Sequence, residues 1–165
     1  MKAIILMLIS VSVYAQMPLD AETKKFTYQE VVEVSEVDKS ELYTRARSFY
    51  VKEYNNADAV IQMDDKDAGR IMGKGYFEVI WWMNQPRKIY HTLTIDVKDG
   101  KYRFVITDFR MDFSENYNIM TLEDPADGVK GSGLPKLYTR TDEKVKLLID
   151  RLKNHMLKSV KSEDW

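Results

Sequence analysis

Apolar residues recur on alternate positions along five stretches of the chain and at helical spacing along two. Phe26, Tyr28, Val32 and Val34 alternate with Thr27, Gln29 and Glu33, which predicts a first strand. Asp38 then supplies a helix cap and Glu41 completes a capping box, with Val37 and Leu42 at the staple positions. Leu42, Ala46, Phe49, Tyr50 and Tyr54 form one stripe, so a helix is expected over 39–54, stopped by Asn55-Asn56. Ala59, Ile61 and Met63 mark a short second strand, followed by a turn at 64–69. A long third strand carries Ile71, Gly73, Gly75, Phe77, Val79, Trp81 and Met83 on one parity. After a turn at 84–88, Ile89, His91, Leu93, Ile95 and Val97 form the fourth strand. Asp99-Gly100 predicts a type I′ hairpin, and Tyr102, Phe104 and Ile106 continue the same face in the fifth strand.

Residues 112–140 interrupt the pattern with Asn, Pro and Gly, and are expected to form a long loop. A last helix is expected from a Thr141 cap, with Asp142 and Glu143 suited to its positive end. Its buried stripe is Val145, Leu148, Ile149, Leu152 and Met156. The order β-α-β4-α predicts an α+β domain. Its single curved antiparallel five-stranded sheet would carry both helices on one face.

The hairpin fixes a register. Lys98 is expected to face Lys101, Val97 to face Tyr102, Ile95 to face Phe104, Leu93 to face Ile106, and His91 to face Asp108. The five-residue turn puts Met83 against Ile89 and Val79 against Leu93. The opposite face is left bare. It is expected to expose Tyr76, Ile80, Trp82, Tyr90, Arg103 and Phe109, with Trp82, Tyr90, Phe109 and Ile80 clustered at one end. Exposed aromatic patches mark contact surfaces, so these six are the candidate binding residues.

Composition narrows the chemistry. The 165 residues include no cysteine, which excludes disulfides, thiolate metal sites and a cysteine nucleophile. A formal charge of −1 lacks the basic signature of a nucleic-acid binder. Met1-Lys2 followed by an apolar run to Val13 and Val13-Tyr14-Ala15 has the layout of a secretory signal peptide, with cleavage expected near Ala15. The run is too short to span a membrane. The expectation is export to the periplasm or beyond, with residues 16–165 as one domain.

The segments Phe26–Val34, Ser40–Ala46, Val60–Asp65, Gly73-Lys74-Gly75, Thr92–Tyr102 and Thr107-Asp108-Phe109 together resemble a bacterial secreted family. That family is a domain of unknown function with a TBP-like fold. The resemblance covers most of the chain after the signal peptide. It implies the β-α-β4-α order and carries no catalytic residue. The TBP-like label does not imply DNA binding.

Catalytic constellations are sparse. Gly69–Gly75 lacks the first glycine and the final Ser or Thr of a phosphate loop, and a strand follows it, so its glycines read as close packing beneath a helix. His91 opposite Asp108 offers one imidazole and one carboxylate, too few for a metal, and reads as a pair closing the core edge. His155 is expected on the exposed flank of the last helix. The acidic turns at 64–67 and 123–128 lack calcium-loop spacing. Glu78 and Asp96 share the open face as a paired-carboxylate candidate. The favoured reading is a non-enzymatic module without cofactor or metal, binding a protein, peptide or glycan. The alternatives are a hydrolase using Glu78, Asp96 or His91–Asp108, and a structural envelope protein.

Overall fold

A computed structural model of the chain describes residues 17–54, 56–112, 119–125 and 133–158, apart from the side chains of 57, 58 and 82. The elements are β1 (Tyr28–Glu33), α1 (Lys39–Glu53), α2 (Ala57–Val60), β2 (Ile61–Asp65), β3 (Arg70–Ile80), β4 (Pro86–Lys98), β5 (Lys101–Asp112), β6 (Ile119–Thr121) and α3 (Gly133–Leu157). The sheet runs β1-β5-β4-β3-β2, antiparallel throughout, and the short β6 pairs with the far end of β5. The signal-peptide expectation falls on residues outside those described.

The period-two pattern decides which face is buried. Ile71 and Val79 of β3, Ile89, Leu93, Ile95 and Val97 of β4, and Tyr102, Phe104 and Ile106 of β5 all point into the core. The stripe of α1 covers them with Leu42, Ala46, Phe49 and Tyr50, and α3 adds Val145, Leu148, Leu152 and Met156. Asp38 caps α1 by accepting from the Glu41 N–H at 2.8 Å. The helices are tied by polar bonds where they cross. Arg45 donates to the Met156 carbonyl at 2.7 Å, answering a free carbonyl at the end of α3. Arg151 donates to Glu53 at 2.9 Å, and Ser48 Oγ lies 2.9 Å from His155 Nε2. His155 is therefore half-buried between the helices, against the ring of Phe49, rather than on an exposed flank.

The β4–β5 register follows the hairpin from Lys98–Lys101 to Leu93–Ile106. The turn itself differs from type I′, since only Gly100 adopts a positive φ. The hairpin is held from outside. Gly100 donates to the Val37 carbonyl and accepts from Val34 N–H, both at 2.8 Å, while the Asp99 carboxylate accepts from Lys39 N–H. Beyond Thr92 the predicted register fails. Asp108 has φ +57, and a bulge separates Thr92–Thr107 from Tyr90–Arg110. The extra residue reverses the parity of β5. Phe109 is fully buried beneath the helices instead of exposed, and Asp108 leaves His91.

The β3–β4 turn also lies earlier than expected. Trp81 N–H bonds the Gln85 carbonyl, Met83 and Asn84 take left-handed backbone, and Val79 pairs Arg87 rather than Leu93. The slide is by an even number of positions, so the residues that remain in β3 and β4 keep their predicted faces. Met83, predicted to face Ile89 in the core, falls in the turn instead and is 80% exposed. Ala59 lies in the short α2, not in a strand. Within the predicted 112–140 loop, β6 and the first turns of α3 are ordered structure, while 113–118 and 126–132 lie outside the described residues. Helix α3 begins eight residues before the predicted Thr141 cap. Thr141 and Asp142 are buried inside it, and Asp142 accepts from the Tyr28 hydroxyl at 2.8 Å and from Lys146 at 2.7 Å.

Candidate functional site

Both long helices lie on one face of the sheet, and no described element covers the other. On that open face Tyr76 and Tyr90 stand directly opposite across β3 and β4, ring centroids 5.7 Å apart. Lys88 places its ammonium 4.6 Å from the centre of the Tyr76 ring. Tyr76 is 49% exposed and Ile80 40%, so this end of the face presents carbon surface to solvent. Of the six candidate binding residues, Tyr76, Tyr90 and Ile80 occupy this end. Arg103 lies at the far end, Phe109 belongs to the core, and the side chain of Trp82 is outside those described.

At that far end Arg70, Asp96 and Arg103 form one row across β3, β4 and β5. Asp96 accepts from Arg70 Nε at 2.5 Å and from Arg103 at 2.7 and 3.1 Å. Partial burial would raise its pKa, but the two guanidinium groups outweigh that and hold it below the ordinary carboxylate range. An acid fixed in its charged form by two arginines is a poor proton donor.

The other catalytic candidates are dispersed. Glu78 pairs Lys88 while Asp96 pairs Arg70, eight positions along β3, about 26 Å at strand rise. Glycosidase carboxylates stand no more than about 9.5 Å apart. Asp108 bonds Lys25 at 2.5 Å, and that cation outweighs partial burial to keep its pKa low. His91 lies in the core with Nε2 2.9 Å from the Tyr54 hydroxyl and its ring stacked on Phe77. Burial lowers its pKa to about 4. Its Nδ1 has no well-formed hydrogen bond among the described residues, although the Ile89 backbone lies near enough to oppose that shift slightly.

The glycines of the rejected phosphate loop have a packing role. A Cβ on Gly73 would stand 2.5 Å from Tyr50, and one on Gly75 would run into the ring of Tyr54. Two tyrosines four apart, Tyr50 on α1 and Tyr54 at its C-cap, thus lie over two glycines two apart on β3. Tyr50 donates to the Leu93 carbonyl at 2.6 Å, so the ring is anchored beyond the strand it crosses. Among the described residues no cluster of three or more His, Asp and Glu converges as a metal site, and no helix is long and apolar enough to cross a membrane.

Comparison with known proteins decides the family. The domain of unknown function (DUF4468) with TBP-like fold matches residues 28–112, just over half the chain. The chain belongs to this family. The DUF4468 core comprises β1 to β5 with α1, which contains the open face, the tyrosine pair and the Arg70–Asp96–Arg103 row. The fold resembles a TBP-like protein from Parabacteroides distasonis, at TM-score 0.70 and 18% identity, covering 86% of this chain and 98% of that one. It also resembles a DUF4468 family protein from Bacteroides ovatus, at TM-score 0.65 and 14% identity, covering 83% and 89%. At these identities the likeness concerns the fold alone. No curated protein matches the chain.

Sequence reasoning missed the role of Arg70 and of Lys25, whose partners depend on strand register and on the bulge. The register Arg70–Asp96 becomes readable once the β3–β4 turn is placed at 81–85.

Proposed function

We propose that this DUF4468 protein is an exported, non-enzymatic binding module that engages a protein, peptide or glycan through its open sheet face. The supporting observation is the Tyr76–Tyr90 pair with Lys88 over one ring, on a face that no described element covers. Aromatic side chains beside a cation are the usual anchors of binding surfaces. The dispersed carboxylates and core-locked imidazole favour this reading over a hydrolase. Export rests on the layout of Met1–Ala15.

The test is affinity capture from the exported fraction with wild-type protein and with Tyr76→Ser/Tyr90→Ser. The double variant is expected to keep its melting temperature and lose the partner. Unfolding of the variant, or undiminished capture, would overturn the reading. A mature N-terminus at Gln16, read by mass spectrometry, is the expected outcome for export.

A further inference from the structure

The Arg70–Asp96–Arg103 row extends to Asp65, the register partner of Arg70 on β2, so its charges alternate. Alternation of that kind is what a self-satisfied surface ladder shows. The adjacent row breaks it. Lys98 and Lys101 stand directly opposite each other, where like charges cost stability. The nearby Asp99 carboxylate is committed to the Lys39 N–H. Glu33 is the register partner of Lys101 from β1, but among the described residues no ion pair joins it to either lysine.

The two rows meet in a cleft of about 520 Å³. Its lining includes Arg70, Lys98, Lys101 and Arg103 around the single carboxylate of Asp96, with exposed Val31 on one wall. Four cations and one anion give the lining residues a net +3 in a chain whose formal charge is −1, with Asp65 and Glu33 as the acidic register neighbours outside the lining. Asp96 takes one N–H of Arg70 and two of Arg103, so other donors of both guanidinium groups stay available while their planes are held in place.

We propose that this cleft binds a ligand carrying two or more closely spaced oxyanion groups, whether a free polycarboxylate or an acidic segment of a glycan chain. The inference rests on the open-face reading and names the chemistry at one end of that face. Asp96 acts as the fixed spacer between the arginines, and the opposed lysines are the positions whose cost in the free protein a bound anion would remove. Tyr76 lies six positions along β3 from Arg70, about 20 Å, so the aromatic and cationic ends can be altered separately.

The test is calorimetric titration of the purified protein with citrate and with trigalacturonate at low and high salt. Binding that weakens as salt is added is expected. Lys98→Gln/Lys101→Gln should lose at least about tenfold in affinity, since charged hydrogen bonds carry that much. The same variant should melt at a higher temperature than wild type, because the opposed charges are gone. Lys98→Arg/Lys101→Arg should retain binding. Citrate binding as tightly as trigalacturonate supports a small free ligand, and tighter trigalacturonate supports an acidic chain. Absence of binding by both at low salt, or binding unchanged in the Gln variant, overturns the proposal. Citrate binding that survives while capture proves independent of Tyr76 and Tyr90 would overturn the aromatic-face reading and leave the cleft assigned.

Discussion

Tyr54 lies across the bare backbone of Gly75, its ring filling the place where a Cβ would stand. The same ring stacks on Tyr50 and reaches His91 through its hydroxyl. Gly75→Ala must therefore displace a buried tyrosine or the helix that carries it. The expected cost is about 1–3 kcal/mol, the range for overpacking a dense core. Denaturant unfolding of Gly75→Ala beside Gly100→Ala separates the packing effect, because nothing lies within 4 Å of a Cβ on Gly100 and only its positive φ resists.

His91 predicts an acid sensitivity with a definite sign. Its folded pKa is depressed to about 4 by burial, against 6.5 ordinarily. Above about pH 6.5 both folded and unfolded imidazole are neutral, and the group costs nothing. As pH falls from 6.5 towards 4, the unfolded chain takes up a proton that the folded chain refuses, so stability declines across that window. The full loss is about 3 kcal/mol. His155 is also held low, by burial first and then by Lys52, and adds in the same direction. Melting curves from pH 7 to pH 4 should flatten in His91→Gln. An unchanged slope would show that the imidazole takes up its proton equally in the folded and unfolded chains.

Two aromatic residues that look alike in sequence should behave oppositely. Phe109 is fully buried and Tyr76 is half exposed. Phe109→Ala is expected to cost about 3–5 kcal/mol. Tyr76→Ser should stay within about 1 kcal/mol, as a surface change that forfeits one ring contact and the approach of Lys88. Chemical denaturation of the two single variants decides it.

The bulge gives a prediction about side-chain shape. Asp108 holds φ +57, a region open to Gly and tolerated by Asp and Asn. Asp108→Val should destabilise by about 1–3 kcal/mol through backbone strain. Asp108→Gly relieves strain but loses the bond to Lys25, so it should fall between Val and wild type. Thermal melts of the two variants give the order.

Much of the fold was readable because alternation survives errors of register. The β3–β4 turn lies earlier than the pattern predicts, yet Ile71, Val79, Ile89 and Leu93 keep their buried face, since an even slide preserves parity. The bulge at Asp108 is different, because one inserted residue exchanges the faces of everything after it. Nothing in Thr107-Asp108-Phe109 announces that beyond the tolerance of Asp for positive φ. Phe109 and the supposed His91–Asp108 pair failed for that one reason. The start of α3 is hidden because Thr141 and Asp142 look like a cap, while the partner of Asp142, Tyr28, comes from the opposite end of the chain. The glycines read as packing positions in the sequence, but which tyrosines press on them depends on where α1 crosses β3. Of the candidate site, the tyrosines were legible from parity alone, and the cationic cleft was not.

The tip of the β4–β5 hairpin bears on how the protein can be handled. Gly100 exchanges backbone bonds with Val34 and Val37, and Asp99 holds the first amide of α1, so an apparent surface tip is a clasp between distant parts of the chain. Inserting an affinity tag or fluorophore there would prise the start of the helix from the sheet. For stability measurements the side chain of Met83, 80% exposed in the 81–85 turn, is the better attachment point, with Trp81 left intact because its indole donates to the Gly133 carbonyl.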